Sequence, residues 1–197
     1  IHSEMLTEGM MELIKIGAVT NLKKKIYKGK TVAAFAFGSQ KLYDFLHDNP
    51  SIAILDGDYV NNPYVIAQND NMISINTTMQ VDLTGQCCSE SIGNKQYSGI
   101  GGQTDTVLGA LMSKGGRSII ALPSTTKDEK ISKITPFLTL GAAVTLSRND
   151  VDYIVTEYGA AKMRGQTVAE RAENLIAIAH PKFRKELKEQ AEMLQIW

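Results

Sequence analysis

Apolar residues Met5, Leu6, Met10, Leu13 and Ile14 recur at helical spacing until Gly17, a residue suited to the turn past a helix end, and predict a helix over residues 7–16. Residues 31–37 are an apolar run with Val and Phe that suits a buried strand. Ser39 stands where an N-cap would open a short helix through Asp48, closed before Pro50. Strands follow at 52–55, 72–76 and 78–83, separated by the turn chemistry of Asp56-Gly57 and Asn61-Asn62-Pro63. A glycine-rich loop at 99–102 feeds a predicted helix at 104–113, and Gly115-Gly116 precede a strand at 117–122. Further strands are expected at 131–137, 142–147 and 153–155. Thr167 and Glu170 are spaced as a capping box for a helix to about residue 179, and Pro181 can begin another, highly charged one. Alternating strands and helices, without a repeat or an obvious linker, predict one α/β domain with an open mixed or mostly parallel sheet flanked by helices.

Composition narrows what such a domain can do. The 197 residues are 43% hydrophobic and 21% charged, enough for one large core or two small ones. Lys plus Arg number 21 against 21 Asp plus Glu, so no overall positive field favours nucleic acid or a membrane surface. No run approaches the roughly 18 apolar residues of a membrane span, no signal-peptide pattern opens the chain, and a cytoplasmic location is expected. Cys87 and Cys88 are adjacent, which suits neither a disulfide staple nor a metal site. Lys23, Lys24, Lys25, Lys28 and Lys30 read as a solvated rim.

Three segments could carry chemistry. Glu4, in Ile1-His2-Ser3-Glu4-Met5, is expected just before or at the start of a helix, where free N–H groups and the helix dipole favour an ionised, nucleophilic carboxylate. An ordinary cap acid would occupy the same place, and a lone His2 is more often structural than catalytic. Glu8 and Glu12 read as solvated acids on the same helix. The second segment is Ser98-Gly99-Ile100-Gly101-Gly102-Gln103-Thr104-Asp105, whose glycines allow close backbone approach and whose N–H groups could hold a phosphate or an oxyanion. Thr104 replaces the third glycine of a dinucleotide fingerprint and no Gly-Lys-Ser/Thr follows, so it is neither that motif nor a P-loop. The third, Leu122-Pro123-Ser124-Thr125-Thr126-Lys127, offers three hydroxyls and an ammonium after a strand. It would serve equally as a solvated turn. Thr156-Glu157-Tyr158-Gly159 is a polar break that selects no chemistry. With only His2, His47 and His180 present, no Ser/His/Asp or Cys/His arrangement assembles.

Taken in order with Gly38-Ser39-Gln40-Lys41-Leu42-Tyr43-Asp44-Phe45 and Val81-Asp82-Leu83-Thr84-Gly85-Gln86, these motifs resemble the acetyl-CoA hydrolase/transferase family. The likeness is strongest to its 4-hydroxybutyrate and butyrate:acetate CoA-transferase branch. It implies a CoA-transferase-like fold and a transfer of CoA between a short-chain acyl-CoA and a carboxylate acceptor such as acetate. In that family the glutamate of the His-Ser/Thr-Glu motif is the nucleophile, and it falls on Glu4. Gly102 would supply an oxyanion donor, Ser98, Gly99, Gly101 and Gly102 would line the CoA site, and Lys127 would contact a CoA phosphate.

The same resemblance implies CoA and acyl-CoA as substrates, no tightly bound cofactor, no metal, and homo-oligomers of the full-length enzyme. A thioester hydrolase and a non-catalytic CoA- or nucleotide-binding module are the alternative readings. The chain begins at Ile1 without an initiator Met, and family members are about twice as long. Residues 1–197 are therefore expected to be a C-terminal catalytic domain, with the N-terminal CoA-transferase domain absent and little activity in isolation.

Overall fold

The computed structural model describes residues 1–196, and its first element is a strand rather than a helix. Strand β1 (His2–Leu6) buries His2 and Leu6 and exposes Met5; helix α1 (Glu8–Lys15) starts only afterwards, with Thr7 at its N-cap. The predicted helix is therefore right in extent, but Met5 and Leu6 lie outside it. Met11 is its buried residue, while Leu13 is exposed. Strand β1 pairs in parallel with β2 (Thr31–Ala36), His2 opposite Val32 and Leu6 opposite Ala36. Helix α2 (Gln40–Leu46) returns the chain to β3 (Ile52–Ile54), which runs parallel to β2. Parallel neighbours need a crossover, and α1 and α2 provide the two that this sheet requires. Leu6, Met11, Ala33 and Leu42 are buried at its core, with Met10, Ala36, Phe45, Leu46 and Ile52 packed around them.

Several local readings change in this region. Ser39 holds the N-cap position of α2, but its hydroxyl and backbone N–H both donate to the Glu8 carboxylate. An ionised acceptor binds a donor more strongly than a neutral one, so the acid takes the hydroxyl. Lys24 departs from the exposed lysine rim: it is half-buried, and its Nζ donates to the carbonyls of Ile1 and Lys30 at 2.7 and 2.8 Å. Burial pushes its pKa down to about 8. The two turn signals near residue 60 become one-turn helices, α3 (Gly57–Val60) and α4 (Pro63–Ile66). Asn62 caps α4 by accepting from the Tyr64 N–H at 2.9 Å, and Pro63 occupies the first turn, where its missing N–H costs nothing.

The chain divides into two compact units, residues 1–72 with 108–116, and residues 73–107 with the remainder from Arg117. The second unit opens with β4 (Ile73–Thr77), β5 (Gln80–Asp82), β6 (Cys87–Cys88) and the hairpin of β7 (Ser91–Ile92) and β8 (Lys95–Gln96). Helix α5 (Gln103–Met112) contributes its first half to this unit and its second half to the other. After it come β9 (Arg117–Ala121), β10 (Ile134–Thr135), β11 (Tyr153–Thr156), β12 (Gly159–Lys162), α6 (Val168–Ile178) and α7 (Pro181–Met193). A four-stranded sheet runs β12-β11-β9-β4, parallel except for the β11–β12 hairpin, and a smaller mixed sheet runs β10-β5-β6.

The α/β reading with open sheets and flanking helices holds, though the strands are shared among several sheets rather than one. Of the expected strand at 131–137 only Ile134–Thr135 form a strand, with Ser132 in an isolated bridge to Thr125, and 142–147 forms a single bridge, Leu146 to Cys87. The capping box is present in full: Thr167 accepts from the Glu170 N–H, and Glu170 accepts from the Thr167 N–H at 2.7 Å.

Gly109, in the half of α5 that belongs to the first unit, is a position where packing outweighs propensity. Alanine is better than glycine in a helix by about 1 kcal/mol, but a Cβ at Gly109 would stand 2.6 Å from Cβ and Cγ2 of fully buried Ile66. Overpacking of this kind costs about 1–3 kcal/mol. Gly109→Ala is therefore expected to lower the urea midpoint; an unchanged or higher midpoint would show that α4 yields freely.

Candidate active site

Glu4 sits in the middle of β1, four residues ahead of α1, so the expected help from a helix dipole is not what holds it. The first-turn acid of α1 is Glu8. A strand alternates its side chains, which places His2, Glu4 and Leu6 on one face and Ser3 and Met5 on the other. Asn61, just past the end of α3, donates from Nδ2 to Glu4 Oε2 at 3.0 Å. Its amide nitrogen must face the carboxylate, because an ionised carboxylate only accepts. Val60, the residue before it, is held by His2, whose Nε2 lies 2.8 Å from the Val60 carbonyl. Glu4 is half-buried and His2 buried.

The glycine loop stands in the second unit. Gly102 accepts the first intrahelical bond of α5 from the Thr106 N–H at 2.9 Å, which makes it the N-cap residue. Its own N–H and those of Gln103 and Thr104 belong to the opening turn, whose donors have no intrahelical partner. Gly101 adopts φ +66°, a left-handed conformation that glycine enters without strain. Gln103 ties the loop down by donating from Nε2 to the Thr77 carbonyl at 3.1 Å, and Thr104 donates to the Thr145 carbonyl at 2.8 Å. Gly99 and Ser98 are exposed, and the Ser98 hydroxyl donates to the Gly99 carbonyl at 2.9 Å.

The third segment differs from its sequence reading. The Ser124 hydroxyl and N–H both donate to the Glu157 carboxylate, at 2.6 and 2.9 Å, and Thr126 donates to Asp128 at 2.7 Å. Ser124 and Thr125 are buried, so the three hydroxyls do not form an open anion cradle. Lys127 is the exposed cation of the segment. Burial raises the pKa of Glu157, but the Ser124 hydroxyl, its own backbone N–H and the Ser124 N–H outweigh it and hold the carboxyl below its ordinary value. The structure thus brings Ser98, Gly99, Gly101 and Gly102 into one loop, puts Lys127 in the same unit, and puts Glu4 in the other. Asn61 and Glu157 are the site-adjacent residues that sequence reading passed over. Each meets its partner across a long stretch of chain, 57 and 33 residues, and no local pattern announces such a pair.

The chain is thus an α/β protein of open sheets flanked by helices, with a carboxylate on a strand face and a glycine-capped helix. Residues 38–191 match the acetyl-CoA hydrolase/transferase C-terminal domain, and the chain belongs to that family. It is 59% identical over 187 residues to the 4-hydroxybutyrate coenzyme A transferase of Clostridium kluyveri, covering 95% of this chain and 44% of that protein. It is 45% identical over 200 residues to the butyryl-CoA:acetate CoA-transferase of Anaerostipes caccae, covering 100% of this chain and 45% of that protein. Among solved structures, RipA from Yersinia pestis is similar with a TM-score of 0.95 at 48% identity, covering 100% of this chain and 44% of that one. The chain therefore spans less than half the length of these relatives. Glu4 lies ahead of the segment matched by the family model but within the structural match.

His2 makes the first unit sensitive to acid. Burial pushes its pKa below the ordinary imidazole value; the Val60 hydrogen bond pulls the other way, and the charge of Lys24 adds to the lowering. Above about pH 6.5 the ring is neutral whether the chain is folded or not. As pH falls below that, the unfolded chain binds a proton that the folded one resists, so stability is lost until the lowered folded pKa is passed. Denaturation at a series of pH values below about 6.5 should show a smaller loss for His2→Gln than for the parent. Parallel losses would mean that His2 titrates normally.

Proposed function

We propose that this chain carries the nucleophile of a CoA-transferase acting between a short-chain acyl-CoA and a carboxylate acceptor. The observation that carries the reading is Glu4 itself, a carboxylate on a paired strand, turned to the face where the Asn61 amide binds it. Glu4 attacks the thioester carbonyl; the C–S bond breaks, CoA leaves as thiolate, and an acyl-glutamyl anhydride forms. The thiolate then attacks the glutamyl carbonyl, releasing the donor carboxylate and leaving a glutamyl-CoA thioester. An acceptor carboxylate reverses both steps. A carboxylate nucleophile resembles donor and acceptor, so each exchange stays close to thermoneutral and the order is ping-pong. Both tetrahedral centres place negative charge on oxygen, and the family resemblance assigns the binding of that charge to Gly102. Ser98, Gly99 and Gly101 line the approach of CoA, which is a substrate rather than a resident group, and Lys127 meets one of its phosphates.

The full-length enzyme incubated with acyl-CoA and no acceptor should acquire a hydroxylamine-sensitive CoA adduct on the peptide containing Glu4. Glu4→Gln should lose the adduct and at least about 1,000-fold in turnover; normal turnover in that variant sinks the reading. Release of CoA that needs no acceptor carboxylate would identify a hydrolase instead. Lys127→Ala is expected to raise KM for CoA by about 3- to 10-fold while leaving kcat nearly unchanged, the signature of lost uniform binding. A fall in kcat alone would remove Lys127 from the CoA site.

A further inference from the structure

We infer that His2 is a positioning residue for this reaction, acting on Glu4 through the end of α3 and the side chain of Asn61. The inference rests on the reading of Glu4 as nucleophile. His2 and Glu4 are two residues apart on β1 and share a face, and they grip consecutive residues of the same segment. His2 takes the Val60 carbonyl at 2.8 Å and Glu4 takes the Asn61 amide at 3.0 Å. The support is needed because α3 is one turn of four residues, and its N-cap Asp56 makes no side-chain cap bond. An isolated turn of that length does not hold itself. Its C-terminal carbonyls lack intrahelical partners, and His2 supplies one for Val60.

The chemistry of the contact fixes the ring. A carbonyl only accepts, so the proton is on Nε2 and the ring donates. Nδ1 is then a lone pair, and it is buried without a hydrogen-bond partner. His2 is therefore a strut with one working donor. Without it the end of α3 loses one of its hydrogen bonds to the strand, and the amide that orients the nucleophile is held less firmly. A reacting group displaced by about 1 Å can lose about 100-fold in rate; a loosened support should cost less.

Four variants of the full-length enzyme test this. His2→Leu fills the space without a donor and should lower kcat about 10-fold while KM for CoA stays within about 2-fold. His2→Gln restores an N–H at similar reach and should recover kcat to within about 3-fold. Adding His2→Leu to Asn61→Ala should cost no more than about 2-fold beyond Asn61→Ala alone, because residues in one chain of contacts do not act additively. If His2→Leu fails to fold by circular dichroism, His2→Asn repeats the comparison, since its amide stands near the place of Nδ1 and falls short of the Val60 carbonyl. Multiplicative losses, an unchanged kcat in a folded His2→Leu or His2→Asn, or a His2→Gln as slow as His2→Leu would each overturn the inference. Glu4→Ala separates the two levels. An active Glu4→Ala defeats the nucleophile reading, whereas an inactive one beside multiplicative His2 and Asn61 losses defeats only the role of His2.

Discussion

The amide of Asn61 donating to the carboxylate of Glu4 is the contact that ties the end of α3 to the middle of β1. A hydrogen bond to a charged group contributes about 1.5–3 kcal/mol, enough to select one orientation of a glutamate side chain with three rotatable bonds. An amide also orients without contributing a full charge. Much of the local architecture holds the two groups in register: β1 fixes the backbone of Glu4 by its pairing with β2, and α3 presents Asn61 over the same face.

The two stations are built by different means. Glu4 is anchored by a side chain from a distant part of the sequence. The glycine loop is instead shaped by backbone, with Gly101 in a left-handed conformation and Gly102 at the N-cap of α5. Ser124 and Glu157 show a third use of polar groups, in which a hydroxyl and an amide are spent on an internal carboxylate. Their bond links the turn after β9 to the turn between β11 and β12, and so stabilises the end of the sheet from which Lys127 projects.

Elements whose signals are local were legible in the sequence. The extent and stop of α1, the apolar run of β2 and the Thr167–Glu170 capping box all appear where expected. Elements defined by a partner were not. Strand β1 reads as the approach to a helix because Met5 and Leu6 continue the spacing of α1, and only β2, some 25 residues on, makes it a strand. Gly159–Lys162 carries glycine and two alanines, poor strand formers, yet pairs along β11. The site followed the same division. Glu4 and the glycine loop stand in motifs that resemble a known family, whereas Asn61 has nothing in its surroundings but turn chemistry.

A buried-side carboxylate contact on a strand also sets what kinds of change the chain can absorb. Side chains in β1 alternate with a period of two, so deleting or inserting one residue between Ile1 and Glu4 would leave the carboxylate in the sequence and turn it to the wrong face. Met5 or Ser3 would then face α3 in its place. Substitutions around Glu4 change its environment by degrees. A shift in length turns Glu4 away from Asn61 outright, so in this strand spacing is under as strict a constraint as residue identity.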